Sequence, residues 1–187
     1  MRGILSDWWH AIEVTAIGDW WSGTGLFERS THTHTVRMDS LKGMVDNVLA
    51  ELGKSDNLSR LNIAGHGNTS AMEFGSDVLN ETNLDAYASQ WWRLRGHFAR
   101  DGFVFLAGCQ VGNNLSFVIA LAKTLGVRVV AGKGYQNNFY HVNTGDYVFV
   151  EPNGSWSQQF WGPGWGKQPD SGWTVPDPEP DRGGTLT

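Results

Sequence analysis

The 187-residue chain holds a single cysteine, Cys109, which excludes an internal disulfide and any zinc site built from several cysteines. Basic charge is not in excess either. The net charge of −5 argues against the basic face that nucleic acids and anionic membranes require. No stretch approaches the ~20 apolar residues of a membrane span, and residues 1–10 carry no unbroken apolar run of signal-peptide length. No internal repeat is visible. The expectation is a soluble protein of a reducing compartment, with export lacking a classical signal peptide, or excision from a longer polypeptide, left open.

What is present suits one ordinary domain. Apolar residues make up 40% of the chain and charged residues only 18%, so a core can form and disorder is not expected. Ile12–Ile17 alternates apolar and polar as a half-buried strand does, and Thr31–Val36 is β-branched at alternate positions. Asp39 or Ser40 caps a helix whose apolar positions run from Leu41 to Leu52, closed by Gly53. Leu58–Ala64 reads as a buried strand and Met72–Gly75 as a short extended piece. Asn83 opens a helix through Phe98, Asp101-Gly102 is a turn, and Phe103–Ala107 is a further strand. Asn113 or Asn114 caps a third helix ending at Gly126, followed by a strand over Val127–Ala131 and a hairpin of Tyr147–Val150 with Trp156–Phe160. Alternation of helix and strand predicts an α/β fold with a mainly parallel sheet. Beyond Trp161 the composition shifts to Gly, Pro and Asp, so the expected division is a domain over 1–162 and a tail or linker over 163–187.

Two of these strands end alike. Leu61-Asn62-Ile63-Ala64-Gly65-His66-Gly67 stops at glycine and presents a histidine; Phe103-Val104-Phe105-Leu106-Ala107-Gly108-Cys109 stops at glycine and presents the cysteine. Ligands bind at the carboxyl ends of parallel strands, and the interval between the two residues leaves room for one crossover helix. A thiol is a nucleophile when its pKa falls and a base takes its proton. Backbone N–H groups near the helix that follows Cys109 offer positive potential. Glycines at 65, 67 and 108 are expected to let a substrate carbonyl approach the backbone.

A strand ending in His-Gly followed by a strand ending in Cys resembles the caspase-like (clan CD) cysteine peptidases. Their histidine lies about 50 residues upstream of the cysteine. The wording Ile63-Ala64-Gly65-His66-Gly67 and Leu106-Ala107-Gly108-Cys109 is similar to two bacterial branches: the autoprocessing protease domains of large secreted toxins, and the caspase-like domain near the start of large adhesin-type proteins. The resemblance spans Leu41 to Phe160. It implies a caspase–haemoglobinase-like sheet with helices on both faces, Cys109 as nucleophile, His66 as general base and acid, and an oxyanion hole from the N–H groups of Gly67 and Cys109. It also implies that Lys133 forms part of a substrate pocket, beside Gly108 as a further substrate-binding candidate, and a protein or peptide substrate with neither cofactor nor metal. The protein would then be cytoplasmic or part of an exported bacterial polypeptide. The string Gln-Ala-Cys-X-Gly is absent, and no partner acid for His66 is evident.

Plainer readings stand beside these. A lone cysteine is more often buried filler than nucleophile. His32 and His34 share a strand face, but without a third ligand an exposed polar face is expected. Asp19, Glu73 and Asp77 read as loop residues rather than the lining of a specificity pocket, Lys133 as a turn lysine rather than the partner of an acidic substrate side chain, and the tryptophans at 8, 9, 20, 21, 91, 92, 161 and 165 as packing rather than a sugar-binding platform. Two other functions remain open: a non-catalytic caspase-like module for protein contact, and a cysteine amidase acting on cell-wall peptide.

Overall fold

The computed structural model describes residues 11–18, 33–53, 57–137, 142–159 and 166–167. Asp19, His32, the tryptophans at 8, 9, 20, 21, 161 and 165, and nearly all of the expected tail, with its boundary at 162/163, lie outside the described residues.

The chain runs through β1 (Ala11–Ile17), β2 (Thr35–Arg37), α1 (Leu41–Leu52), β3 (Asn57–Ala64), the hairpin β4 (Met72–Phe74) and β5 (Asp77–Leu79), and a 3₁₀ turn (Leu84–Tyr87). It continues through α2 (Ala88–Arg95), β6 (Phe98–Ala107), a second 3₁₀ turn (Val111–Asn113), α3 (Leu115–Leu125) and β7 (Arg128–Gly132). Short strands β8 (Gln136–Asn137) and β9 (Val142–Asn143) precede β10 (Tyr147–Val150), β11 (Trp156–Gln159) and β12 (Gly166–Lys167). Seven strands form one sheet in the order β11-β10-β7-β6-β3-β1-β2. The strands from β2 to β7 are parallel neighbours, while β10 and β11 close the sheet antiparallel. This is the mixed α/β fold, mostly parallel and flanked by helices, that the alternation predicted.

Two of the helices, α1 and α3, start and stop for legible reasons. Ser40 accepts the Gly43 N–H at 3.0 Å to cap α1, and Leu41, Met44, Val45, Val48 and Leu52 bury one stripe. Asn114 accepts from Phe117 N to cap α3, and Gly126 closes it at φ 73°, a left-handed value that glycine adopts without strain. All three described α-helices bury their stripes in one large cluster with Val14, Leu61, Ile63, Val104, Leu106, Val129 and Val148 from one sheet face. Each such fully buried side chain stabilises the fold by about 1.5–3 kcal/mol.

The opposite face buries Phe105, Val130, Tyr147 and Phe149, and no residue of a described helix joins that cluster. Beside it lies a polar group. Arg60 sits 3.9 Å from Glu13, its guanidinium 5.3 Å above the Phe105 ring, and Asn62 donates to Glu13 at 2.6 Å and to Thr15 at 3.1 Å.

Four local expectations change. Phe98 stands at helical spacing from Leu94, yet α2 stops at Arg95 with Gly96 as its cap, and Phe98 pairs with Leu58 instead. Asp101-Gly102 is not a turn between elements. It lies within β6, where the register jumps from Leu58↔Phe98 to Arg60↔Phe103, and a Cβ at Gly102 would strike the Leu58 carbonyl oxygen. Trp91 is fully buried against Phe74 (ring centroids 5.4 Å apart, edge-on), whereas Trp92 is 60% exposed rather than packed. Within the expected tail, Gly166–Lys167 pairs antiparallel with Val142–Asn143.

Candidate functional site

The site grows from the register of β3 and β6. These strands are adjacent and parallel, and Ala64 stands directly opposite Ala107. Both chains leave the sheet at the next residue, a glycine, and reach His66 and Cys109 one residue later. Equal offsets from a matched pair bring the two loops to one rim. On the other side of β3, the chain passes from β1 to β2 in one direction across the sheet and from β3 to β6 in the other, so the carboxyl ends of β1 and β3 form the topological switch point of the sheet.

Contacts around the glycines show how closely the loops meet. A Cβ on Gly67 would lie 2.5 Å from Val111 Cγ2 and 3.1 Å from the Cys109 carbonyl oxygen; one on Gly108 would lie 2.9 Å from Val111 Cγ2 and 3.4 Å from the Gly65 carbonyl oxygen. One on Gly65 would strike the Glu73 carbonyl oxygen. The expected reason for these glycines is therefore corrected. They are needed because the protein's own loops pack there.

Beyond His66 the chain forms an isolated antiparallel bridge, Gly67 opposite Met72. Its hydrogen bonds run from Asn68 N to Ala71 O and from Glu73 N to His66 O, so the Gly67 N–H is not consumed by the ladder. Asn114, the α3 cap, also donates to Ser70 O at 2.8 Å and to Glu81 at 2.8 Å, tying the histidine loop to the helix that follows the cysteine.

Cys109 is half-buried, with Sγ held by the main chain of Gln136: the Gln136 N–H donates to it at 3.4 Å, and the thiol faces the Gln136 carbonyl oxygen at 3.7 Å. Gln110 follows at φ 60°, the one non-glycine residue in left-handed conformation among the described residues, and its N–H donates to Gly134 O at 2.7 Å. Such conformations cost about 1–3 kcal/mol and gather at functional sites.

His66 is exposed and lines a cleft of about 350 Å³ with Gly18, Met38, Asp39, Gly65, Glu73 and Gly75. Asp39 is paired with Arg37 at 2.5 Å. Glu73, expected in a loop, is on β4 opposite His66 across the Gly67–Met72 bridge, which makes it the carboxylate nearest to His66 along this ladder. Asp77 is no loop residue: it opens β5 and accepts the Leu41 N–H at 2.9 Å, satisfying the start of α1. The Lys133 ammonium donates to Gln158 at 2.9 Å and is half-buried rather than a solvated turn group. His34 bonds Glu51 at 2.8 Å, and among the described residues no three His, Cys, Asp or Glu side chains gather to hold a metal.

The sequence reading missed Gln136 and Asn143. Both lie in strands of two residues, too short to leave a periodic signal; the one available cue was the polar, glycine-flanked stretch after β7.

Fold and rim define a class: a mainly parallel α/β domain that presents a histidine and a cysteine from neighbouring strand ends. Residues 22–137, more than half of the chain, match the family described as Domain of unknown function (DUF4347), and the chain belongs to that family. No curated protein matches it.

Proposed function

We propose that the protein is a caspase-like cysteine endopeptidase, a hydrolase with a Cys-His dyad, one candidate substrate being its own parent polypeptide. The observation that supports it is the Ala64↔Ala107 register, which sends His66 and Cys109 out over the same rim. His66 takes the Cys109 proton as Sγ attacks the carbonyl carbon of the scissile bond. The oxyanion that forms accepts hydrogen bonds from the N–H groups of Gly67 and Cys109. Collapse breaks the C–N bond, and the leaving amine takes the proton from His66. Water, deprotonated by His66, then attacks the thioester, releasing the acid product and returning the proton to sulfur. The α/β, mainly parallel sheet agrees with the fold that the resemblance implies, whereas the described α-helices pack on one of its faces rather than on both. Gly108 acts in this reading by letting the cysteine loop close on Gly65, and Lys133 keeps only the substrate-pocket role that the resemblance implies.

Iodoacetamide tests the reading. Cys109 of the native protein is expected to be alkylated quickly near neutral pH, and His66→Ala to slow it; alkylation only in denaturant would overturn the proposal and favour a non-catalytic module.

A further inference from the structure

We infer that Asn143 is a positioning residue for the Cys109 thiolate, acting through the main chain of Gln136; the inference rests on Cys109 being the nucleophile. Asn143 is fully buried, yet it lies in a strand of two residues, the central one of a small three-stranded sheet. Its side chain joins both arms of the turn around it. Oδ1 accepts from Gly134 N at 3.0 Å and from Gly145 N at 2.8 Å, while Nδ2 donates to Gly134 O at 3.3 Å and to Gln136 Oε1 at 3.1 Å. A Cβ on Gly132 would strike this amide, so the end of β7 is shaped to admit it. Gly134 O in turn accepts from Gln110 N, the residue after the nucleophile. One amide thus fixes the segment 134–136 against 109–110.

The consequence falls on the sulfur. In the thiol form the S–H faces the Gln136 carbonyl at 3.7 Å; once the proton has gone to a base, the Gln136 N–H at 3.4 Å remains as the donor to the anion. A donor held against the sulfur orients and stabilises the anion, and a hydrogen bond of ordinary strength is worth about a fivefold change. Among the described residues, the titratable groups on the surrounding elements are His66 on the histidine loop and Lys133, Tyr135 and Asp146 on the two arms. Lys133 and Asp146 are both engaged by Gln158 of the edge strand β11.

The test is the pH profile of Cys109 alkylation by iodoacetamide in the full chain, for wild type, Asn143→Ala and Thr144→Val. Thr144 is exposed, and its Oγ1 accepts from Tyr135 N at 2.8 Å, so its loss loosens the same turn without opening a cavity. Asn143→Ala is expected to lower the rate at pH 7 by about fivefold while leaving the high-pH plateau unchanged, with a smaller shift of the same sign for Thr144→Val. If Asn143→Ala does not fold, the Thr144→Val profile decides. Wild-type profiles in the folded variants would overturn the inference alone; a wild-type thiol that is inert in the native protein would remove the peptidase proposal beneath it.

Discussion

Gly67 is packed so closely against Cys109 that its absent Cβ would lie 3.1 Å from the Cys109 carbonyl oxygen and 2.5 Å from Val111 Cγ2. The histidine and cysteine loops therefore pack directly on each other here, and widening this contact moves both. Gly67→Ala is expected to cost about 1–3 kcal/mol through overpacking, read as a lowered melting temperature. Cys109 alkylation is expected to fall further than the stability loss explains, because the loop that carries His66 is displaced.

Asn114 joins the two loops from outside, capping α3 while holding Ser70 and Glu81. Asn114→Ala is expected to cost about 1 kcal/mol for the cap. The Asn114 amide also holds the Glu81 carboxyl below its ordinary value of 4.5. A lowered carboxylate stabilises the fold above its unfolded pKa and loses that contribution as pH falls through the folded value. Denaturation midpoints of wild type and variant should therefore differ more at pH 7 than at pH 3, with only a modest change because the carboxylate is exposed.

The neighbours Trp91 and Trp92 offer a test of the packing. Trp91 is fully buried against Phe74, whereas Trp92 is 60% exposed. Trp91→Ala is expected to cost about 3–5 kcal/mol, and Trp92→Ala less than about 0.5 kcal/mol, both read by chemical denaturation. Equal costs would contradict the assignment of this helix face.

Much of this architecture was legible in the residues. The strands Leu58–Ala64 and Phe103–Ala107, the Leu41–Leu52 stripe and the Gly53 and Gly126 closures all follow from periodicity and capping, which are local. The rim was legible for the same reason, since two apolar runs ending at glycine set equal offsets. What escaped was non-local. Phe98 obeys helical spacing and is claimed by Leu58 across the sheet; Asp77 looks like a turn residue and serves a helix start distant in sequence; Asn143 gains its role only when the chain folds back on Gly134.

The most direct test of the peptidase reading is a peptide-library cleavage profile measured side by side for wild type, Cys109→Ala and His66→Ala. Cleavage by wild type is expected to vanish with Cys109→Ala and to fall by about 10²–10⁴-fold with His66→Ala. A profile unchanged in the cysteine variant would contradict it, and turnover of cell-wall peptide without library cleavage would point to an amidase instead.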